Sequence, residues 1–530
     1  MRKSVLLIGL LGMTLSVIPM TGCFGNRTKK DTYDKSGKLK VSMRNLYFGG
    51  YAKGDDYIQK VEEQFGLSFS LDSYDWANWT TQVNSQVNSR NLPDVFHANV
   101  DSYNFANTYK FWAEDKLLKP LPDDLSQYPN LQKMIENTTN VKSLKLNGKL
   151  YGIPIAKDTT DYSTDFSPFT YVYRRDWAKK YGVYQENDEY TWDQFKALLD
   201  KFSKELKNSN RYALGDVEWG FPSITNFYKQ VPHCFAQDET GKYVNNYTTE
   251  AYIQGLEESK QFYLNGWYYP SQNTARDGDL NTKYYSGQVG VFYENLSYSN
   301  YVTLKNKYKN SFPNSTDAEL ADAMAIMKIK GPDGKYVLEG TDNWFSMTFF
   351  DSRISDEKMD KILKLYDWLL SEEGTEFSIY GEKDVDYYKD GDGNITLNTY
   401  SWTETSPGKY AEKVNGAKYL RYMVSLGYDT LSYDPLTDKE AVNYLASWDA
   451  EMKEAKKNGT LKVLKETADV MWLTTPKKAK NSGSMRTNAL KSVMQYIYSS
   501  GITNIEQYNK SFGSIWDEVL KEINDTLLGK

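Results

Sequence analysis

The sequence predicts an α/β protein of at least two domains, each built around a largely parallel sheet. Three observations predict it. Short apolar runs of strand character alternate with helical stripes along the chain, 530 residues suffice for more than one core, and turn and capping signals separate the runs at the spacing of α/β units.

The elements follow in order. Residues 38–48 (KLKVSMRNLYF) alternate as a strand, a helical pattern runs from Asp55 to Phe65, and Leu67 to Leu71 is a second short strand. Trp76 to Ser89 is a candidate helix, and Pro93-Asp94-Val95-Phe96-His97 reads as a buried strand opening after a turn. Asn147-Gly148 separates two extended runs, Ser143–Leu146 and Leu150–Ile155, and both turn residues tolerate positive φ, so a hairpin is expected. Phe169 to Tyr173 is a strand. Thr191-Trp192-Asp193-Gln194 is a capping box that opens an amphipathic helix through Leu206. Asn265-Gly266 closes another helix. Val289 to Tyr293 is a strand, and Met359, Ile362, Leu363, Tyr366, Leu369 and Leu370 form a helical stripe ending near Gly374. Helical patterns dominate from Asp438 onward, and no internal repeat is present. Asp390-Gly391-Asp392-Gly393-Asn394 reads as a turn between strands. A calcium loop would need Glu at its twelfth position, where Ser401 stands.

The N-terminus reads as an export signal. Arg2 and Lys3 precede an apolar run from Val5 to Ile18, and Met20-Thr21-Gly22-Cys23 follows. This looks like a bacterial lipobox, with residues 1–22 the signal peptide and the Cys23 thiol the lipidated position. Several acyl chains anchor a protein where one alone is marginal. Residues 23–37 are polar and aperiodic, the expected signature of a flexible tether.

Loss of residues 1–22 removes Arg2 and Lys3 and takes the formal net charge from −6 to about −8. That balance argues against nucleic acid as a partner. Only Cys23 and Cys234 are present, so acylation of Cys23 leaves no intramolecular disulfide, and Cys234 is expected to be buried and inert. With His97 and His233 the only histidines, a zinc site of His and Cys lacks ligands; no metal and no cofactor are expected.

Several segments, in order, resemble bacterial extracellular solute-binding family 1, the large sugar-binding lipoproteins of ABC importers. They are Leu92-Pro93-Asp94-Val95-Phe96, Asn147-Gly148-Lys149-Leu150-Tyr151-Gly152-Ile153-Pro154, Tyr173-Arg174-Arg175-Asp176-Trp177 with Thr191-Trp192-Asp193-Gln194-Phe195, and Ser371-Glu372-Glu373-Gly374 with Tyr380-Gly381-Glu382. The resemblance implies the periplasmic-binding-protein-like (type II) fold: two discontinuous α/β lobes around a hinge, with the ligand in the interdomain cleft. The lobes are expected at about 38–156 plus 322–380 and about 157–321 plus 381–530. It also implies ABC permease subunits as partners, a lipid anchor on the extracytoplasmic face of the cell membrane, and a monomer.

A sugar site needs flat aromatic faces and side chains that donate and accept hydrogen bonds. In open α/β sheets such sites gather where strands end. Polar-aromatic clusters at expected strand ends nominate Trp76, Trp79, Trp219 and Trp344 for stacking. His97, Asn99, Glu294 and Asn295 are nominated for hydroxyls. Most of the 13 Trp must nonetheless be packing residues, and His97 also fits a satisfied strand-end position. The leading expectation is a non-catalytic subunit that binds an oligosaccharide. A secreted glycoside hydrolase, with two carboxylates about 5–10 Å apart, and the same fold carrying a peptide or other polar solute are the alternatives.

Overall fold

The computed structural model describes residues 29–46, 56–75, 78–99, 106–157, 166–207, 209–216, 221–269, 279–391, 393, 395–398, 416–426, 438–498 and 500–529. Its strands, in chain order, begin with β1 (Leu39–Asn45), β2 (Leu67–Ser73), β3 (Val95–Ala98), β4 (Gly152–Ala156), β5 (Phe169–Tyr173), β6 (Glu189–Tyr190), β7 (Tyr212–Gly215) and β8 (Phe235–Gln237). There follow β9 (Tyr243–Asn245), β10 (Val289–Asn295), β11 (Ala325–Ile329), β12 (Tyr336–Glu339), β13 (Trp344–Phe350), β14 (Tyr387–Lys389), β15 (Ile395–Leu397) and β16 (Leu461–Leu464).

Two five-stranded sheets organise these elements, in the orders β2-β1-β3-β13-β4 and β6-β11-β5-β10-β7. In each sheet four strands are mutually parallel and one opposes them: β13 in the first, β5 in the second. The exception has a topological cause. Each opposing strand is the first in its sheet after the chain has crossed from the other. It enters at the edge where the parallel strands end, so it must run away from that edge. The two crossings are paired. The Lys157 N–H donates to Asn343 O at 2.9 Å, the Ser167 N–H donates to Glu339 O at 2.7 Å, and Ala156 stands opposite Trp344.

The second sheet is covered on both faces, which is why β5, β10 and β11 are buried along nearly their whole length, whereas β1 alternates buried and more exposed residues. On β5, Tyr171 and Tyr173 pack to one side with Phe195, Leu199 and Phe202, while Val172 joins Phe292, Leu304 and Leu445 on the other. The capping box forms: the Thr191 hydroxyl accepts from the Gln194 N–H, and the Gln194 side chain accepts from the Thr191 N–H, opening helix Trp192–Leu206. Helix Glu250–Leu264 ends at Asn265, with Gly266 at φ +70°. The Asn147-Gly148 turn is present, with φ 51° and 79° and a bridge from Leu146 to Lys149. The run before it is helical over Val141–Leu144, so the expected first strand of that hairpin shrinks to one bridge. The Asp390–Asn394 segment joins the antiparallel strands β14 and β15, as the turn reading expects; Asp392 and Asn394 lie outside the described residues.

Gly374 departs from its expected role. Helix Asp356–Leu369 ends before it, and Ser371 caps a second helix, Glu372–Tyr380, by accepting from the Gly374 N–H. A Cβ on Gly374 would lie 2.0 Å from the Trp368 carbonyl oxygen, so glycine lets the second helix start against the end of the first.

The lobe limits read from the sequence need three corrections. Residues 381–398, drawn with the second lobe, carry β14 and β15, and Asp386 there accepts from the Tyr57 hydroxyl of the first. Residues 322–339, drawn with the first lobe, carry β11 and β12; β11 pairs with β5 of the second sheet, and the return to the first falls between Glu339 and Trp344. Residues 416–426, drawn with the second lobe, place Tyr419, Leu420, Met423 and Val424 in the first core. Helix Lys439–Lys457 covers the second sheet, and helices Pro476–Ile497 and Ser514–Leu527 pack over β8 and β9 around Cys234, whose thiol burial pushes up to about 12. None of the helices among the described residues is long and apolar enough to cross a membrane.

His97 braces the first sheet. It lies on β3 opposite Thr348, is 0% exposed, and its Nδ1 accepts from the Leu46 N–H at 3.3 Å. The Thr348 hydroxyl donates to Met423 O, so both residues tie the 416–426 segment to the sheet. Desolvation drives the imidazole down to about 3, against a hydrogen bond with the Met423 backbone.

At the far end of the same sheet, part of the expected tether is docked. The Lys29 N–H donates to Arg353 O at 2.8 Å. Its Nζ meets Asp94 Oδ1 at 3.1 Å and Asp351 Oδ2 at 2.9 Å, and donates to Leu92 O at 2.8 Å. Lys358 joins Asp94 at 3.2 Å, and the Lys40 N–H donates to Thr32 O at 2.8 Å. From Lys29 onward, then, the expected flexible tether is an ordered strap held by charge. Burial raises the Asp351 carboxyl, but hydrogen bonds from Arg353 and Lys29 outweigh it and hold the net value below the ordinary range.

Two predictions follow from these braces. Asp351→Asn should cost about 1.5–3 kcal/mol and speed tryptic cleavage at Lys29 and Lys30. Asp356→Asn, which alters a fully exposed partner of Lys119, should change neither. Unaltered cleavage in Asp351→Asn would refute the strap. For His97, the unfolded chain takes up the proton first, near pH 6.5. Its contribution is therefore intact above that value and is lost as pH falls toward 3, by roughly 2 kcal/mol at pH 5. Urea unfolding at pH 7 and pH 5 should show this slope, and His97→Gln should lose that share of it.

Candidate ligand-binding cleft

The pairing of the crossings sets where a guest can sit. β4 leaves the first sheet and β13 enters it at one edge. β12 leaves the second lobe, and β5 enters the second sheet, at the edge where β7 and β10 end. The carboxyl edges of both sheets therefore border the crossings, and the space between them is the crevice where α/β sheets bind ligands.

On the first edge, Asn45 is buried and its Nδ2 donates to Tyr419 O at 3.0 Å. The Arg44 guanidinium lies 4.7 Å from the Tyr74 ring centroid, and the Tyr74 hydroxyl donates to Gln86 Oε1 at 2.7 Å. Two amide oxygens stand apart: Asn99 Oδ1, just past β3, and Gln82 Oε1, on helix Trp79–Asn88 after β2. Both are buried without a hydrogen-bond partner among the described residues. A buried acceptor left unpaired costs about 1–3 kcal/mol, and a hydroxyl donor relieves it.

On the second edge, Tyr293 and Glu294 close β10. Asn226 Nδ2 donates to the Tyr293 hydroxyl at 3.1 Å, and the Tyr171 hydroxyl donates to Ser223 Oγ at 2.7 Å. The Ser223 N–H donates to Asp216 Oδ2 at 2.8 Å, just beyond β7. The hinge itself is pinned by the 137–140 turn. Asn343 Oδ1 accepts from the Thr139 N–H at 2.9 Å, and Asp342 Oδ1 accepts from Asn140 Nδ2 at 3.0 Å.

The nominated residues divide. Trp76 and Trp219 lie outside the described residues. Trp79 opens helix Trp79–Asn88, half-buried against the first core. Trp344 reaches the crossing but is 5% exposed. Its Nε1 donates to Thr139 O at 3.1 Å and its ring lies 5.5 Å from that of Trp472, so it is a packing residue of the hinge rather than a stacking face. His97, wholly buried, is likewise a brace and offers a sugar no surface. Glu294 and Asn295 sit on the cleft edge as expected, but each serves the chain. Glu294 Oε1 accepts from the Asn295 N–H at 2.7 Å, and Asn295 Oδ1 accepts from the Ser297 N–H at 2.9 Å, where helix Tyr298–Ser311 begins. Asn99 Oδ1, alone of the described nominated groups at the cleft edge, is a buried acceptor with no partner among the described residues. Gln82 and Asn226 were not nominated, since a lone amide among other polar residues carries no sequence signal. Among the described residues, no group of three His, Cys, Asp or Glu could hold a metal ion.

A family model described as bacterial extracellular solute-binding protein matches residues 56–376. No curated protein matches the sequence. Among solved structures, S. pneumoniae FusA, an ABC-transporter substrate-binding protein in complex with kestose, aligns with TM-score 0.63 and 15% identity over 93% of this chain and 100% of that one. An HMO-binding, ABC-transporter-associated solute-binding protein from Bifidobacterium longum infantis aligns with TM-score 0.64 and 16% identity over the same shares. At these identities the likeness is one of fold, the two-lobed type II fold of periplasmic binding proteins. The family is one of non-enzymatic substrate-binding proteins, which answers the hydrolase alternative. With residues 56–376 matched, more than half its length, the chain belongs to the bacterial extracellular solute-binding protein family.

Proposed function

We propose that this chain is the substrate-binding subunit of an ABC importer, capturing an oligosaccharide between its lobes and handing it on unaltered. The observation that carries the reading is the pair of carboxyl sheet edges brought to one crevice by two hydrogen-bonded crossings. Two proteins of this fold, one solved with kestose and one named for binding HMO, support a carbohydrate guest. So do Asn99 Oδ1 and Gln82 Oε1, acceptors suited to sugar hydroxyls. In this reading the first lobe comprises residues 29–156, 344–398 and 416–426, and the second residues 166–339 and 438–529. Closure is a hinge motion at the crossings. Cys23 carries the lipid that holds the protein, as a monomer, on the outer face of the cell membrane beside its permease subunits.

Calorimetry and thermal melts against a panel of oligosaccharides test the reading. A ligand at about 100 times its Kd should add about 2.7 kcal/mol of stability, and chromatography should recover it intact. Asn99→Ala should weaken binding about tenfold with little change in melting temperature. No shift across the whole panel would sink the carbohydrate reading, and cleaved products would sink the transport one. Cys23→Ala should release the protein from cells into the medium; retention would refute the anchor.

A further inference from the structure

The docked strap at the far end of the first sheet roofs a pocket of about 520 Å³. Lys29 and Lys30 come from the strap, Lys40 from β1, and Lys358 from helix Asp356–Leu369. Ser68 and Ser70 of β2, register partners of Lys40 and Ser42 on β1, line it as well. Leu39, Val41 and Met43 turn into the first core, so the alternate positions of β1 face outward and give the pocket a polar wall.

Two of the four lysines are already paired. Lys29 meets Asp94 and Asp351, and Lys358 meets Asp94 at 3.2 Å and Asp31 at 3.6 Å. The neighbouring acids have partners too. Arg353 meets Asp351 at 2.7 Å, Lys38 lies 3.9 Å from Glu62, and Asp34 accepts from the Ser36 and Lys38 N–H groups. Lys30 and Lys40 are different. Both are exposed, and neither has an ion pair among the described residues. The hydroxyls of Thr32, Ser68 and Ser70, in the same pocket, make no hydrogen bond among them either. These groups are open to solvent, so a ligand can reach them.

Two ammonium groups beside three hydroxyl donors fit a phosphate, whose oxygens accept several charge-assisted hydrogen bonds at once. The place of the pocket in the chain says where that phosphate comes from. Lys29 lies six residues after Cys23, and six extended residues span about 20 Å. A lipid on the Cys23 thiol therefore keeps the pocket close to the bilayer, with Arg27 adding positive charge between them. The chain as a whole has a formal charge of −6, so an anionic bilayer repels most of its surface and attracts this pole.

We propose that this pocket holds the phosphate of an anionic phospholipid in the membrane that carries the Cys23 lipid, with Lys30 and Lys40 as its cations. The anchored protein then rests on the amino edge of its first sheet, and the cleft, bordered by the opposite edge, faces away from the bilayer. The proposal rests on the anchor reading and adds an electrostatic hold to it.

Flotation of the mature chain carrying Cys23→Ser, which takes no lipid, is the test. The vesicles are equal parts phosphatidylglycerol and phosphatidylcholine, or phosphatidylcholine alone. The chain should bind the charged vesicles about tenfold tighter and lose them as sodium chloride rises. Lys30→Gln with Lys40→Gln should remove the preference. Lys207→Gln with Lys439→Gln, which neutralises two exposed lysines of the second lobe, should keep it. Equal binding to both vesicles, or equal loss in both double variants, overturns the pocket. Calorimetric binding of inorganic phosphate without preference for the charged vesicles overturns the lipid as its source. With the lipidated chain on charged vesicles, acetylation of Lys30 and Lys40 should slow several-fold relative to Lys207, and equal rates overturn the resting pose. Failure of the pocket leaves the anchor standing, since release of Cys23→Ala tests the anchor separately.

Discussion

The antiparallel pairing of the two crossing segments is the constraint on which the rest depends. Once the described ends of the first crossing, Lys157 and Ser167, pair with Asn343 and Glu339 of the second, β5 and β13 must each start at the carboxyl edge of their sheet. That one arrangement makes both sheets mixed, turns both carboxyl edges to the same crevice, and leaves the far ends free for other work. The docked strap at Lys29 uses one of those far ends, at the pole opposite the cleft.

Local chemistry made much of the fold legible in the sequence. The Thr191–Gln194 capping box, the Asn147-Gly148 turn and the Gly266 stop each fix a few dihedral angles by interactions within a few residues, so pattern suffices to find them. Decisions that rest on distant contacts were not legible. Gly374 resembles a helix stop, but its role comes from the approach of Trp368 O. Residues 416–426 join the first lobe because Tyr419 and Met423 fill gaps beside β1 and β13, more than 300 and about 75 residues away in sequence. The polar 29–37 segment has the composition of a linker, and only its ion pairs with Asp94 and Asp351 order it.

The site was legible as an edge and not as a set of contacts. Strand ends point to the crevice whatever their side chains do, so Asn99, Glu294 and Asn295 fall where expected. Which of them faces a guest depends on what else claims each atom. Leu46 claims His97 Nδ1, Thr139 claims the Trp344 indole, and Ser297 claims Asn295 Oδ1. An aromatic or polar residue near a strand end is therefore a weak nomination until its neighbours are counted. Gln82 shows the converse, since nothing in its helix pattern marks an amide whose oxygen is left unclaimed among the described residues.

The contact of Trp344 with Trp472 has a mechanical consequence. It adds a third link between the lobes beside the two crossings, so the axis of any closure must pass near it. Groups close to a hinge axis move little as the lobes close, whereas groups at the far edges move most. Lys110 and Trp472, both buried beside that axis, therefore shift little. By contrast, Asn99 on one edge and Asn226 on the other change their separation. A ligand shifts a conformational balance only through contacts that differ between its states. It follows that any contact made beside the hinge adds equally to both forms. Selection of the closed form must come from contacts that bridge the two sheet edges, so the span of a guest, rather than any group held beside the hinge, decides closure.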